Sequence, residues 1–166
     1  MPISVEINVE VPELVLNSSF IRNQIYRALQ TQIRPKIHKL FDQTIEGWSD
    51  KPAFHESGHN WLSEVAVRVW TDNARYAYVN NGTPPHTITP RGRGMLRFRP
   101  GYTAGTRPRV LSSKKPGRFG DYVSAWRVKH PGIEARNFDV EIAEQIFPEF
   151  VDAVNEAIHL GINFAK

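Results

Sequence analysis

The stretch Ser19–Ile45, SFIRNQIYRALQTQIRPKIHKLFDQTI, decides the fold class. Ile21, Ile25, Leu29, Ile33, Ile37, Phe41 and Ile45 recur every four residues, with Tyr26 and Leu40 beside them, a spacing that lays one apolar stripe along a helix. About 26 residues at about 1.5 Å each make a rod of roughly 40 Å. Asn17, Ser18 and Ser19 offer side-chain oxygens for its N-cap; Gly47 and then Pro52 close it. Pro35 has no N–H for the helical ladder, so a kink or break is expected near residues 31–34.

Upstream, residues 3–11 alternate without a fault. Ile3, Val5, Ile7, Val9 and Val11 lie on one side and Ser4, Glu6, Asn8 and Glu10 on the other, the period of a half-buried strand that Pro12 ends. Downstream, Ala53–Glu56 and Trp61–Trp70 read as a hairpin with Ser57-Gly58-His59-Asn60 as its turn. A short helical segment over 73–81 stops at Asn80-Asn81-Gly82. Short strands are expected near Thr87–Thr89, Met95–Phe98 and Tyr122–Val128. Asn137 is placed to cap a last helix with Asp139 and Glu141 in its first turn. Ala143, Ile146, Phe147, Phe150, Val151, Val154 and Ile158 would form its stripe, Pro148 a bend and Gly161 its C-cap. These elements predict an α+β fold in one domain over 1–166: a small, mostly antiparallel sheet packed by a long N-terminal helix and a C-terminal helix. Residues 1–12 form a strand or arm, and residues 91–120 a long basic loop insertion.

The chain has 166 residues, 40% hydrophobic and 23% charged, enough to bury a sizeable core. Having no cysteine, it lacks disulfides, thiolate metal sites and cysteine nucleophiles. No apolar run approaches the roughly 18 residues of a membrane span, and Glu6 interrupts a signal-peptide core, so a soluble protein with no membrane contact is expected. The net charge of +4 conceals a division. Between Asp72 and Asp121 there is no acidic residue but ten basic ones: Arg75, Arg91, Arg93, Arg97, Arg99, Arg107, Arg109, Lys114, Lys115 and Arg118. The other 11 Lys and Arg are outnumbered by all 17 Asp and Glu, which leaves the remainder at −6. Such a division suits a polyanion, or an acidic patch on another copy of the chain. Pro and Gly crowd the interval from Arg99 to Gly120, a loop too long to lack a purpose or a partner.

His55-Glu56-Ser57-Gly58-His59 satisfies the zinc-protease pattern H-E-x-x-H, which requires one helical face. Gly58, Pro52 and the alternating run that follows argue for a hairpin, so no metal site and no zinc hydrolase is expected there. His86 and His130, each beside a proline, can meet as ligands or an acid–base pair, or hydrogen-bond their turns. Gly92, Gly94, Gly101 and Gly105 fit no phosphate loop, and no serine sits in a nucleophile elbow, so no catalytic residue and no cofactor is assigned. Phe98, Tyr102, Phe119 and Tyr122 interleave with the cations. They could stack bases between phosphate contacts, or simply pin the loop ends to the body. A stand-alone, sequence-independent nucleic-acid-binding role for residues 91–118 is therefore one expectation.

A second comes from an ordered string of motifs: Asp50-Lys51-Pro52-Ala53-Phe54, Tyr76-Ala77-Tyr78-Val79, Asn81-Gly82-Thr83-Pro84-Pro85-His86, Leu96-Arg97-Phe98, and Val128-Lys129-His130-Pro131-Gly132-Ile133-Glu134-Ala135-Arg136-Asn137-Phe138. Over about residues 20–160 this resembles the neck or tail-completion protein family of tailed bacteriophages, to which the minor tail protein Z of phage lambda is related. The resemblance implies a structural, non-enzymatic α+β virion subunit, made in the host cytoplasm and residing in the neck or tail of the particle. Copies would form an oligomeric ring, expected as a hexamer, between head connector or portal-adaptor proteins and the tail terminator or tail tube. Packaged DNA would cross the ring and touch it without sequence preference. It also implies that Tyr76, Gly82, Thr83, His86, His130, Pro131, Gly132 and Phe138 shape turns and a sheet edge. The basic residues Arg91, Arg93, Arg97, Arg99, Arg107, Arg109, Lys114, Lys115 and Arg118 would face a neighbouring subunit or the DNA.

Overall fold

Three antiparallel strands form the sheet on which the helices rest. A computed structural model describes residues 2–9, 19–62 and 64–163. Strand β1 (Ile3–Val9) pairs with β3 (Val65–Thr71), and β3 pairs on its other side with β2 (His55–Asn60). The register sets Val5 opposite Val69, Ile7 opposite Val67 and Val9 opposite Val65, so the alternation read from the sequence becomes one apolar face. The hairpin of β2 and β3 is present, but its turn lies at residues 61–64 rather than 57–60. Gly58 sits inside β2, where a Cβ would fall 2.1 Å from Gln30 Nε2 and 3.1 Å from the Ala66 carbonyl oxygen. A helix crosses the strand there, and only glycine permits that approach.

That helix runs in register from α1 (Ser19–Ala28) through a π segment (Leu29–Ile33) into α2 (Arg34–Thr44). The break expected near residues 31–34 is absent. The Arg34 N–H reaches back to the Leu29 carbonyl, and Pro35 sits in the first turn of α2, where its missing donor costs little. The π turn also solves a phase problem. A strict period of four outruns the 3.6-residue turn by about 40° per step, so the stripe would wind away from the sheet. One extra residue in the turn takes back about 100°. As a result all seven stripe residues, from Ile21 to Ile45, are buried. Residues 10–12 and the Asn17-Ser18 cap lie outside the described residues.

Helix α3 (Ala74–Asn81) begins at Asn73, whose side-chain oxygen accepts from the Arg75 and Tyr76 N–H groups, and ends at Gly82 in the left-handed region. Tyr76 is fully buried at the centre of an aromatic cluster, with ring centroids 6.0 Å from Phe41, 6.1 Å from Trp48, 5.4 Å from Phe54 and 5.8 Å from Phe138. Its hydroxyl lies 3.0 Å from Thr44 Oγ1, which itself donates to the Phe41 carbonyl. Burial holds the Tyr76 phenol far above its ordinary range, a shift the Thr44 contact only partly opposes and the Asp139 carboxylate reinforces. The folded state therefore keeps a proton that the unfolded chain releases above about pH 10. This contribution to stability is complete below that pH and falls by about 1.4 kcal/mol per unit above it. In denaturant titrations between pH 9 and 11.5, Tyr76→Phe should flatten the alkaline limb relative to wild type.

Helix α4 (Phe138–Asn163) packs on α1, the π segment, α2 and β1, and runs through Pro148. Its buried residues are Phe138, Ile142, Ile146, Ala153, Val154, Ala157 and Gly161, a stripe displaced from the expected one. Ala143, Phe147 and Val151 are exposed. Gly161 is no C-cap; it lies inside the helix, where a Cβ would come within 2.6 Å of Ile21 Cγ1, and so lets α4 approach α1. Beyond the main sheet are two small ribbons, β4 (His86–Ile88) with β7 (Val128–His130), and β5 (Leu96–Phe98) with β6 (Val123–Ala125). The α+β architecture thus holds, with three small antiparallel sheets in place of one.

Candidate functional site: a signature ribbon, a groove and a basic segment

Every residue of the two signature stretches converges on the β4–β7 ribbon and its approach. Thr83 and Ile133 exchange backbone hydrogen bonds of 2.9 and 3.0 Å, and Thr83 Oγ1 accepts from the Ile133 N–H at 3.1 Å. Gly82 and Gly132 make this crossing possible. Both have positive φ, 72° and 93°, and a Cβ on either would strike the opposite backbone, 2.6 Å from the Ile133 oxygen and 2.2 Å from the Thr83 oxygen. Pro131 precedes the second of these turns. His86 and His130 are opposite one another in the ladder and stack at 5.0 Å. His86 Nδ1 is 2.9 Å from the Pro84 oxygen and so carries the proton, whereas His130 Nδ1 accepts from the Gly132 N–H at 3.1 Å. The histidines do meet, and each also holds its own turn.

The junction into α4 holds a residue that the sequence reading missed. Asn80, 1% exposed, accepts from the Asp139 N–H at 3.3 Å and donates to Asp139 Oδ1 at 3.0 Å, while its carbonyl takes the N–H groups of Arg136 and Asn137. Asn80 therefore caps α4 from the end of α3, the role assigned above to Asn137. Asn137 itself is left-handed, at φ 50°. The only trace of this in the sequence is Asn80-Asn81-Gly82, which reads simply as a helix stop.

The two ribbons border a groove of about 730 Å³. Ile88, Leu96, Phe98 and Val128 contribute apolar surface, and Arg97, Arg99, Arg118 and Lys129 contribute positive charge. Arg136 also lines it. This residue is 8% exposed, and its Nη1 lies 3.4 Å from Glu134 Oε2, but its Nε has no hydrogen-bond partner among the described residues. Glu134 is the one acidic residue in the lining.

All nine cations of the expected basic surface are exposed: Arg91, Arg93, Arg97, Arg99, Arg107, Arg109, Lys114, Lys115 and Arg118. They do not form one cluster. Arg97 and Arg99 lie over the Tyr122 ring at 5.2 and 4.7 Å, and Arg109 pairs with Glu141 of α4 at 3.6 Å. The long loop is docked rather than free. Ser113 Oγ accepts from the Gly47 N–H at 2.9 Å, the Lys114 N–H donates to Gly105 at 3.0 Å, and Thr106 and Ser113 are buried. A Cβ on Gly47 would lie 2.5 Å from the Lys114 carbonyl, so this glycine receives the loop as well as following the helix. Phe119 packs on Gly101 and Gly117, pinning the loop to itself, while Tyr102, Phe119 and Tyr122 keep exposed faces. Gly92 and Gly94, by contrast, have open space around them. Limited trypsin digestion should thus cut first after Arg91 and Arg93, and later after Lys114, whose backbone is tied on both sides. Timed mass spectrometry of the fragments checks the order.

The H-E-x-x-H stretch lies on β2, as a strand and not a helix. His55 stacks on Trp70 at 5.6 Å and His59 on Trp61 at 3.8 Å, while Glu56 pairs with Arg34 at 3.2 Å and with His38. The three side chains are thus engaged separately. Comparison with family models, curated proteins and solved structures returned no match.

Proposed function

We propose that this chain is a non-enzymatic structural subunit of the head–tail junction of a tailed bacteriophage, a neck or tail-completion protein. It works as an oligomeric ring, a hexamer, that joins head connector or portal-adaptor proteins to the tail terminator or tail tube and lets DNA pass. It is made in the host cytoplasm and resides in the virion. The observation that carries this reading is the ordered motif string described above. Its two halves, some 45 residues apart, fold against each other through Thr83–Ile133 and His86–His130 as one unit. Conserving such a unit requires both halves together, which is why the pair is more telling than either alone. A chain with a −6 body and a basic excursion also suits head-to-tail contact between copies.

Particles assembled without this gene should show full heads and tails that fail to join, by negative-stain electron microscopy; joined particles would refute the assignment. A second reading, a stand-alone nucleic-acid-binding protein, is favoured by Arg97 and Arg99 stacked on the exposed Tyr122. It requires the monomer to hold DNA with a steep salt dependence, whereas a ring subunit binds weakly until assembled.

A further inference from the structure

Helix α4 turns two chemistries outward at once. Val140, Phe147 and Val151, spaced seven and four apart, share a face and are 51, 61 and 37% exposed. Along its whole length the helix carries six acidic residues and no lysine or arginine. Glu144 and Asp152 are exposed beside the apolar face. The groove between the ribbons is its complement, with apolar surface from Ile88, Leu96, Phe98 and Val128, cations at the rim, and a buried Arg136 whose Nε has no partner among the described residues.

We propose that the exposed face of α4 on one copy seats in the groove between the β4–β7 and β5–β6 ribbons of the next copy. This rests on the ring reading above and names its contact. The mode is an amphipathic helix laid in a groove, apolar side chains inward and carboxylates toward the rim cations. The match is twofold. Nucleic acid would satisfy the arginines but brings no apolar knob for the floor of the groove. A neutral amphipathic helix would fill the floor and leave Arg136 without a carboxylate. Phe147 stands exposed in its own chain, so the groove it fills belongs to another. Knob and socket are different surfaces of one chain, which makes the contact heterologous: it propagates head to tail and either closes as a ring or continues as a filament.

The absence of cysteine makes the test clean. Phe147→Cys and Tyr102→Cys both alter exposed side chains, the second on the groove lining. Under mild oxidation the chain with both changes should give a ladder of covalent multimers on a non-reducing gel, and each single variant no more than dimers. In sedimentation, Glu144→Lys and Lys129→Glu should each weaken self-association roughly tenfold, and their combination in one chain should restore it. If wild type assembles but no ladder forms and both charge reversals leave assembly unchanged, the groove contact is wrong while the ring reading stands. If wild type stays monomeric at every concentration, the ring reading falls and takes this contact with it. If Lys129→Glu abolishes binding of a short DNA duplex but leaves assembly intact, the groove serves nucleic acid and the proposal is overturned.

Discussion

Replacing Gly132 by alanine is expected to cost about 3 kcal/mol of folding stability, from a left-handed φ and a backbone clash together. At φ 93° a Cβ would lie 2.2 Å from the Thr83 oxygen, 2.9 Å from the Pro84 carbonyl carbon and 3.1 Å from the Pro85 nitrogen. All three are main-chain atoms, so no side chain can swing aside. Relief would require the Thr83–Ile133 bridge to open, and with it the β4–β7 pairing that the bridge extends. Gly94 is the built-in control. A Cβ there meets nothing within 4 Å, and Gly94→Ala should stay within about 0.5 kcal/mol of wild type. Urea unfolding of the two variants reads the difference directly. In a domain of this size, 3 kcal/mol corresponds to a melting point lower by about 6–12 °C.

Tyr76→Ala should cost more, about 3–5 kcal/mol, the range for truncating a buried large aromatic side chain. Tyr76 is the one ring that touches Phe41 of α2, Trp48, Phe54 before β2 and Phe138 at the start of α4. Four separate parts of the chain therefore border the cavity, and no single movement can close it. Tyr76→Phe keeps the ring and removes only the hydroxyl, leaving Thr44 its bond to the Phe41 carbonyl. Its cost at neutral pH should be about 1 kcal/mol. Paired urea titrations of the two variants separate packing from hydrogen bonding. A loss of similar size in both would mean that the Thr44 contact, rather than the cluster, dominates.

The parts of the fold that were legible are those where burial follows a period. Ile3 to Val9 alternate because one face of β1 packs inward, and Ile21 to Ile45 recur because one face of the long helix does. The errors fall where a residue's usual role was displaced by a distant neighbour. Ser57-Gly58-His59-Asn60 has the composition of a turn, yet Gly58 is needed in a strand because Gln30 crosses it. Asn137 precedes a helix, yet Asn80, 57 positions earlier, caps it. Gly161 near a helix end serves close packing on Ile21. At the candidate site, the pairing of His86 with His130 was within reach, since both stand beside prolines in turn-like sequence. The docking of the basic loop was not, because its anchors are the Gly47 and Lys114 backbones and the Ser113 hydroxyl, none of which leaves a hydrophobic pattern.

The π turn has a consequence for how this protein can change. Deleting a single residue within Leu29–Ile33 would leave a smooth, regular α-helix by every local criterion. It would also swing Ile37 and Phe41 about 100° around the axis, out of the sheet and into water. Exchanges of side chain there are judged one at a time, but an altered residue count is judged by the whole rod downstream, so this buried midpoint is intolerant of insertion or deletion in a way that the open Arg91–Gly94 stretch is not.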